Sequence, residues 1–409
     1  MRFQPLAEAR AGPIWRRPEA LLVLMAIAMP LSFSVWLALL NNFVIEVAGF
    51  DGADIGWLHT VREIPGLLAV VVIAIIVFIR EQVLALWMLV LLGVATALTA
   101  YFPTMGGILA ITMLSSIGFH YYETANQSLQ LQWLEKDRAP KVLGWLIAAG
   151  SAATLVAYGL IVLTWKAFDL DYSTVYVVAG GLTVVIALYC FLAFPQIEAP
   201  VPQLKKMVLR RRYWLFYALE FMAGARRQIF VVFAGFMMVE KFGFQVHEVT
   251  ALYLVNLVIN MLVAPVLGRA VAFFGERNTL TFEYAGLTLV FLAYGGLYYF
   301  GWGVAVAAFL YVIDHVFFGL ALAKKTYFQK ISDAADIAPT AAVSFTINHI
   351  AAVFLPALLG YLWLASPEAV FLLAACMALV SLILSLLIPR HPGPGNETIL
   401  RHPVPAPVG

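Results

Sequence analysis

Twelve runs of mostly apolar residues, each about 20 residues or longer, follow one another almost without pause. They cover roughly 20–46, 53–79, 82–101, 105–131, 141–165, 174–195, 213–239, 247–270, 279–300, 303–325, 340–363 and 369–389. A run of this length lets an α-helix cross a hydrocarbon core of about 30 Å with every backbone polar group satisfied inside the segment. Hydrophobic residues make up 63% of the 409 positions and charged ones only 12%, against about 25% charged in a soluble domain. The medium is therefore lipid. The first run is too long for a signal-peptide core and reads as a span. Cys190 and Cys376 each lie in an apolar run and read as small core residues.

The connections between runs are short, and they divide the chain. Residues 1–19 form a cytoplasmic N-terminal segment, 20–195 a six-helix bundle, 196–212 a basic, proline-bearing linker, 213–389 a second six-helix bundle, and 390–409 a disordered Pro/Gly-rich tail. With the N-terminus placed inside, twenty of the 25 lysines and arginines fall on the cytoplasmic side, including Lys136, Arg138, Lys205 and Lys206. Only Lys166 and Lys241 fall on the other side, while Arg62, Arg226 and Arg227 stay within spans. This asymmetry is the positive-inside pattern, and it predicts a multi-pass inner-membrane protein with both termini cytoplasmic.

A weak internal repeat relates the two halves. The fourth run leads into "HYYETANQSLQLQWLEKDRAPKVLG" and the tenth into "HVFFGLALAKKTYFQKISDAADIAPTAA". Each carries a mid-span histidine, His120 or His315, and each ends at an Ala-Pro, at Pro140 or Pro339. Proline suits a helix's first turn because that N–H has no partner anyway. Two repeated bundles of six spans are the layout of a secondary transporter with a midplane site. With its basic central linker and cytoplasmic ends, the chain resembles the major facilitator superfamily. That family carries Gly-x-x-x-Asp-Arg-x-Gly-Arg-Arg or near it in its 2–3 and 8–9 loops. Here the 8–9 loop reads "GRAVAFFGER": Gly268, Gly275 and Arg277 fit this conformational motif, while Ala272 and Phe273 replace its Asp and Arg. The 2–3 loop keeps only Arg80 and Glu81. The resemblance implies an all-α membrane fold of twelve helices in two pseudo-symmetric bundles, with spans one, four, seven and ten lining the path.

Ionisable residues inside a span are costly, about 2.5–3.5 kcal/mol each, and face a bundle interior or a watery cavity. Arg226 and Arg227 cannot mark a membrane edge, because Ile229 to Val239 would then supply only about 16 Å of helix. Arg227 shares a face with Glu220, seven residues earlier, and Arg226 points elsewhere, towards an acid such as Asp314 or Glu123 or towards a substrate anion. His59, Arg62, Glu63 and Gly66 form a stripe on the second span, where Arg62 either contacts substrate or pairs with Glu63. On the fourth span His120, Glu123, Asn126, Gln127 and Gln130 form the most organised polar stripe, either an interhelical seam or a cavity wall. Asn41, Asn256, Asn260 and Asn348 suit interhelical glue more often than ligand contact.

The resulting expectations are specific. Substrate contacts are Arg227, Arg226, Arg62, Gln127, Asn41, Asn348 and Tyr311, because arginine is the usual bidentate anion clamp. Proton coupling falls to Glu123, with Asp314, Glu220, His120 and His315 as alternates. The cargo is a small polar, anionic organic solute, and the coupling partner a proton or another ion. No phosphate-cradling loop, metal spacing or nucleophile elbow appears, so no catalytic residue, metal, cofactor or nucleic-acid partner is expected, and the protein is expected to be a monomeric non-enzyme. The rival readings are an efflux pump for lipophilic compounds and a non-transporting assembly factor or sensor of the same fold.

Overall fold

Lipid leaves backbone groups no partners but one another, so the apolar runs become helices. The computed structural model describes residues 3–69, 71–134, 139–198, 209–333 and 336–400. Lys136, Arg138, Lys205 and Lys206 lie outside the described residues. In chain order the elements are β1 (Phe3–Pro5), α1 (Leu6–Ala11), α2 (Pro18–Glu46), α3 (Gly52–Leu67), α4 (Val71–Phe78), α5 (Glu81–Leu98), α6 (Met105–Trp133), α7 (Ala139–Thr164), α8 (Tyr172–Ala193) and β2 (Gln196–Glu198). There follow α9 (Trp214–Gln228), a π-helical turn (Ile229–Ala234), α10 (Gly235–Glu240), α11 (Val246–Tyr299), α12 (Val304–Gly319), α13 (Leu322–Ile331), α14 (Ile337–Ala365) and α15 (Pro367–Leu386).

This is an all-α membrane protein with twelve helical segments at the expected places. Ten helices among the described residues are long and apolar enough to cross a membrane. The second segment is divided into α3 and α4, shortly after Pro65, which has no N–H to continue the ladder. The fourth, α6, is 29 residues long, but its polar stripe dilutes its apolar character. Several helices start on side-chain caps: Asp51 accepts from the N–H groups of Ala53 and Asp54, Thr104 from Gly107, and Ser366 from Ala369.

Backbone contacts divide the chain into two units. The first comprises Met1–Leu204 and Gly235–Leu257, the second Lys205–Ala234 and Val258–Gly409. Residues 235–257, placed by sequence in the C-terminal bundle, thus group with the first unit. The seventh span changes unit where its π-helical turn ends, at Ala234.

In the first unit α5 and α8 meet at two glycines. A Cβ added to Gly93 would stand 2.7 Å from the Gly180 carbonyl oxygen, so only glycine fits there. Ser32 donates to Thr183 Oγ1 at 2.8 Å, joining α2 to α8. Strand β1 pairs in parallel with β2, and Gln82 receives Ile197 N–H at 2.9 Å while donating to Pro195 O at 3.0 Å. The start of the expected linker is therefore part of the first unit.

In the second unit α9 packs on α14 with Gly224 against the Asn348 backbone. Phe233 stacks on Trp363 at 5.2 Å and Tyr294 on Phe371 at 4.9 Å. Two expectations are corrected. Cys376 is exposed, whereas Cys190 is buried. The tail, expected to be disordered from residue 390, is tied down as far as Leu400: Ile399 N–H donates to Leu387 O at 2.9 Å and Tyr327 Oη to Glu397 O at 2.5 Å. Its prolines and glycines make a turn, with Gly393 bridged to Asn396.

Candidate functional site

Three helical faces of the second unit converge on one cavity of about 440 Å³. Arg227, Phe230 and Val231 come from the seventh span, spaced 0, 3 and 4, so they share a face. Asn260, Ala264 and Leu267 come from α11 at 0, 4 and 7. His315, Phe318, Gly319 and Leu322 come from α12 and α13 at 0, 3, 4 and 7. Gly319 lets α11 approach, since a Cβ there would meet Leu267 Cδ1 at 2.5 Å. The polar groups are one guanidinium, one imidazole and one amide, set in an apolar wall. Arg227 and His315 were expected on substrate and proton duty respectively, and the fold brings them together. Asn260 was read as glue, but it lines the cavity.

Arg226 turns away, as the 100° step between helical neighbours requires. It is fully buried, and its direct ion-pair partner is Glu283, at 3.4 Å, rather than Asp314 or Glu123. Ser381 lies 3.4 Å from the other terminal nitrogen, and the rings of Tyr284 and Phe318 lie 4.9 and 5.6 Å from the guanidinium carbon. Glu283 escaped the sequence reading although Glu276 and Thr279 stand seven and four residues before it, because that stripe lies at the edge of an otherwise apolar run. Asp314 is also fully buried, within electrostatic reach of Arg226 and Glu283, and neither of its carboxylate oxygens has a hydrogen-bond partner among the described residues. Glu220 does not serve Arg227: its side chain pairs with Lys324 at 3.2 Å, and its carbonyl accepts from Asn348 Nδ2 at 3.2 Å. Asn348 therefore ties α14 to α9. Tyr311 backs Phe230, with ring centroids 4.8 Å apart.

The first unit holds the other expected residues. Arg62 donates to Glu63 Oε1 through Nε at 3.1 Å and through a terminal nitrogen at 2.5 Å. On α6, His120 is buried while Glu123 and Gln127 are exposed. One turn further on, Ser128 and Gln132 donate to Glu81 at 2.9 and 2.5 Å, so the acid retained from the 2–3 loop is hydrogen-bonded to α6. Asn41 is buried, its amide nitrogen 2.9 Å from where a Cβ on Gly235 would stand. None of these residues lines the cavity of the second unit.

The 8–9 motif has a local explanation. Gly275 breaks α11 at φ 75° and ψ 164°, a region essentially closed to other residues. Beside it, buried Glu276 pairs with Lys330 at 2.7 Å, linking this turn to α13. Gly268 has open space where a side chain would be, and Arg277 follows Glu276 in the turn. Outside the membrane, Arg210 clasps Asp336, with one hydrogen bond at 2.8 Å, and Tyr213 Oη donates to Asp336 at 3.1 Å. Arg210 holds the Asp336 carboxyl below the usual carboxylate range, chiefly through that hydrogen bonding.

The model of the Major Facilitator Superfamily matches residues 21–347. No curated protein matches the chain by sequence. Among solved structures, a mutant of the nucleoside transporter NupG superposes with a TM-score of 0.74 at 12% identity, over 90% of this chain and 99% of that one. Unmutated NupG gives 0.70 at 14% identity, over 90% and 98%. A bacterial homolog to the human lysosomal transporter Spinster, inward-facing and occupied, gives 0.69 at 12%, over 92% and 97%. At these identities the likeness is one of fold.

Proposed function

The chain belongs to the Major Facilitator Superfamily, a family of transporters rather than enzymes, and on that premise we propose that it carries a small organic anion across the inner membrane in exchange or symport with protons. The observation that carries this reading is the cavity of about 440 Å³ that places the Arg227 guanidinium, the His315 imidazole and the Asn260 amide in an otherwise apolar wall. That volume lies at the small end of ligand sites, about 300–1,000 Å³. Arg226 cannot share the task, because Glu283 holds it in the protein interior. The lysine and arginine asymmetry supports the inner membrane and cytoplasmic termini.

Charge balance supports proton coupling. Asp314 and Glu283 lie near the Arg226 guanidinium, with the Glu220–Lys324 pair within electrostatic reach of Glu283, so three carboxylates face two cations and a proton on one acid balances the cluster. Glu123, on the uncovered face of α6, is the second candidate carrier. The test is uptake into proteoliposomes with an imposed pH gradient. Small labelled carboxylates form the panel, and a nucleoside, the solute class named for one structural neighbour, is the neutral comparison. Arg227→Gln should lower anion uptake about tenfold to a hundredfold, the worth of a charge-assisted hydrogen bond. Uptake of the nucleoside but of no anion would overturn the anion reading. The proton assignment falls if Glu123→Gln and Asp314→Asn both leave pH-driven uptake intact.

A further inference from the structure

The 8–9 turn carries an aromatic tip that has no part in the cavity. The first stretch of α11, from Val246 to the break at Gly275, is about 43 Å long at about 1.5 Å per residue. The hydrocarbon core of a bilayer is about 30 Å thick, and about 40–45 Å with both headgroup layers. The end of this helix therefore lies at headgroup depth. There Phe273 and Phe274 stand 83% and 59% exposed, with ring centroids 4.9 Å apart in an edge-on contact. Two carbonyls of the turn are taken up locally: Asn278 Nδ2 donates to Phe274 O at 3.2 Å, and Thr279 Oγ1 to Gly275 O at 2.9 Å. The turn thus presents side chains rather than open backbone to its surroundings.

The charge around the tip has one sign. Arg269 is exposed and lies four residues before Phe273, on the same helical face. Arg277 is part-exposed and follows Phe274 by three residues, beyond the break. Ala272 and Phe273 stand where the 8–9 motif has its Asp and Arg, and the only acid between Val249 and Phe282 is Glu276. Glu276 is buried and paired with Lys330 at 2.7 Å, so it gives the surface no negative charge, and the pair braces the turn against α13. An aromatic wedge flanked by arginines suits the headgroup–acyl boundary of an anionic leaflet, where rings enter the apolar edge and guanidinium groups meet phosphate. We infer that the 8–9 turn is a docking surface for anionic phospholipid, with Phe273 and Phe274 inserted at that boundary and Arg269 and Arg277 on the headgroups. A protein partner would have to reach the same depth to cover the rings.

Phe274→Trp places a fluorescent reporter at the tip of the full-length protein, read in vesicles as the difference from the same protein with its ten native tryptophans alone. Phosphatidylcholine and phosphatidylglycerol, each with brominated acyl chains as quencher, are compared in turn. Both lipids should quench the reporter, with phosphatidylglycerol preferred about tenfold to thirtyfold, the worth of two arginines at a charged surface. Arg269→Gln combined with Arg277→Gln should bring that preference close to one while quenching by phosphatidylcholine persists. Arg211→Gln, which removes an exposed arginine elsewhere in the same unit, should leave the preference unchanged. Phe273→Trp serves as the reporter if the Phe274→Trp protein does not elute as a folded monodisperse species. Absence of quenching by either lipid puts the tip outside the bilayer and overturns the docking surface, as contact with a protein partner would require. Equal quenching by the two lipids, or a preference that survives the double arginine variant, overturns the anionic assignment. A loss from Arg211→Gln as large as that from the double variant overturns its location at this turn.

Discussion

The two units neutralise their intramembrane arginines in different ways. In the first, Arg62 leans on Glu63, its neighbour in the chain, and both are nearly buried. In the second, Arg226 reaches Glu283, 57 positions away on another span, and neither has measurable contact with solvent. The local pair can form as soon as its helix does. The distant pair exists only when two spans have packed. A local pair makes a charge tolerable, whereas a distant one makes it a fastener of tertiary structure. The distant fastener also leaves Arg227, the next residue, facing the cavity.

The largest expected effect tests that contrast. Glu283→Gln leaves Arg226 charged and buried without its acid, which should cost about 3–5 kcal/mol, read as a fall in Tm and in folded yield. Glu63→Gln should cost about 1–3 kcal/mol, because Arg62 retains some access to water once its acid is gone. Equal losses would erase the distinction between the two pairs. Restoring stability in the Glu283→Gln background with Arg226→Met would sharpen it.

A smaller effect concerns the turn before Glu283. Gly275 takes φ 75° and ψ 164°, so Gly275→Ala should cost about 1–3 kcal/mol. If the distant pair depends on this turn, Gly275→Ala and Glu283→Gln combined should lose less stability than the sum of their separate losses, measured by thermal unfolding in a double-mutant cycle. Strict additivity would mean that the turn and the pair act independently.

The smallest effect lies outside the membrane, where another distant pair meets water. Asp336 has its carboxyl held low by Arg210, so the contribution is present at neutral pH and above the ordinary aspartate pKa of about 3.9. It fades as pH falls through the lower value that Asp336 has in the folded protein. The Tm difference between wild type and Asp336→Asn should accordingly be small, constant from about pH 8 to 5, and shrink only below about pH 4. A difference that grows in acid contradicts the assignment.

Much of this architecture was legible in the chain. Lipid forces each span to satisfy its own backbone, so twelve apolar runs read directly as helices. The divergence of Arg226 from Arg227 was also legible, since helical geometry alone separates neighbours. Glu283 was not, because no local pattern names a partner on another span. Lys324 was hidden for the same reason, and so was its capture of Glu220. The π-helical turn at Ile229–Ala234 has no marker in "IFVVFA". The tail misled through composition: proline and glycine bar a helix there, but a turn with a few well-placed hydrogen bonds needs neither regular structure nor an apolar core.

The bare contact between Gly93 and Gly180 has a mechanical meaning. Where side chains separate two helices, rotamer changes let one slide over the other. Here, at this one crossing point, main chain rests on main chain. The third and sixth spans are pinned to each other at that point, which resists their sliding past one another.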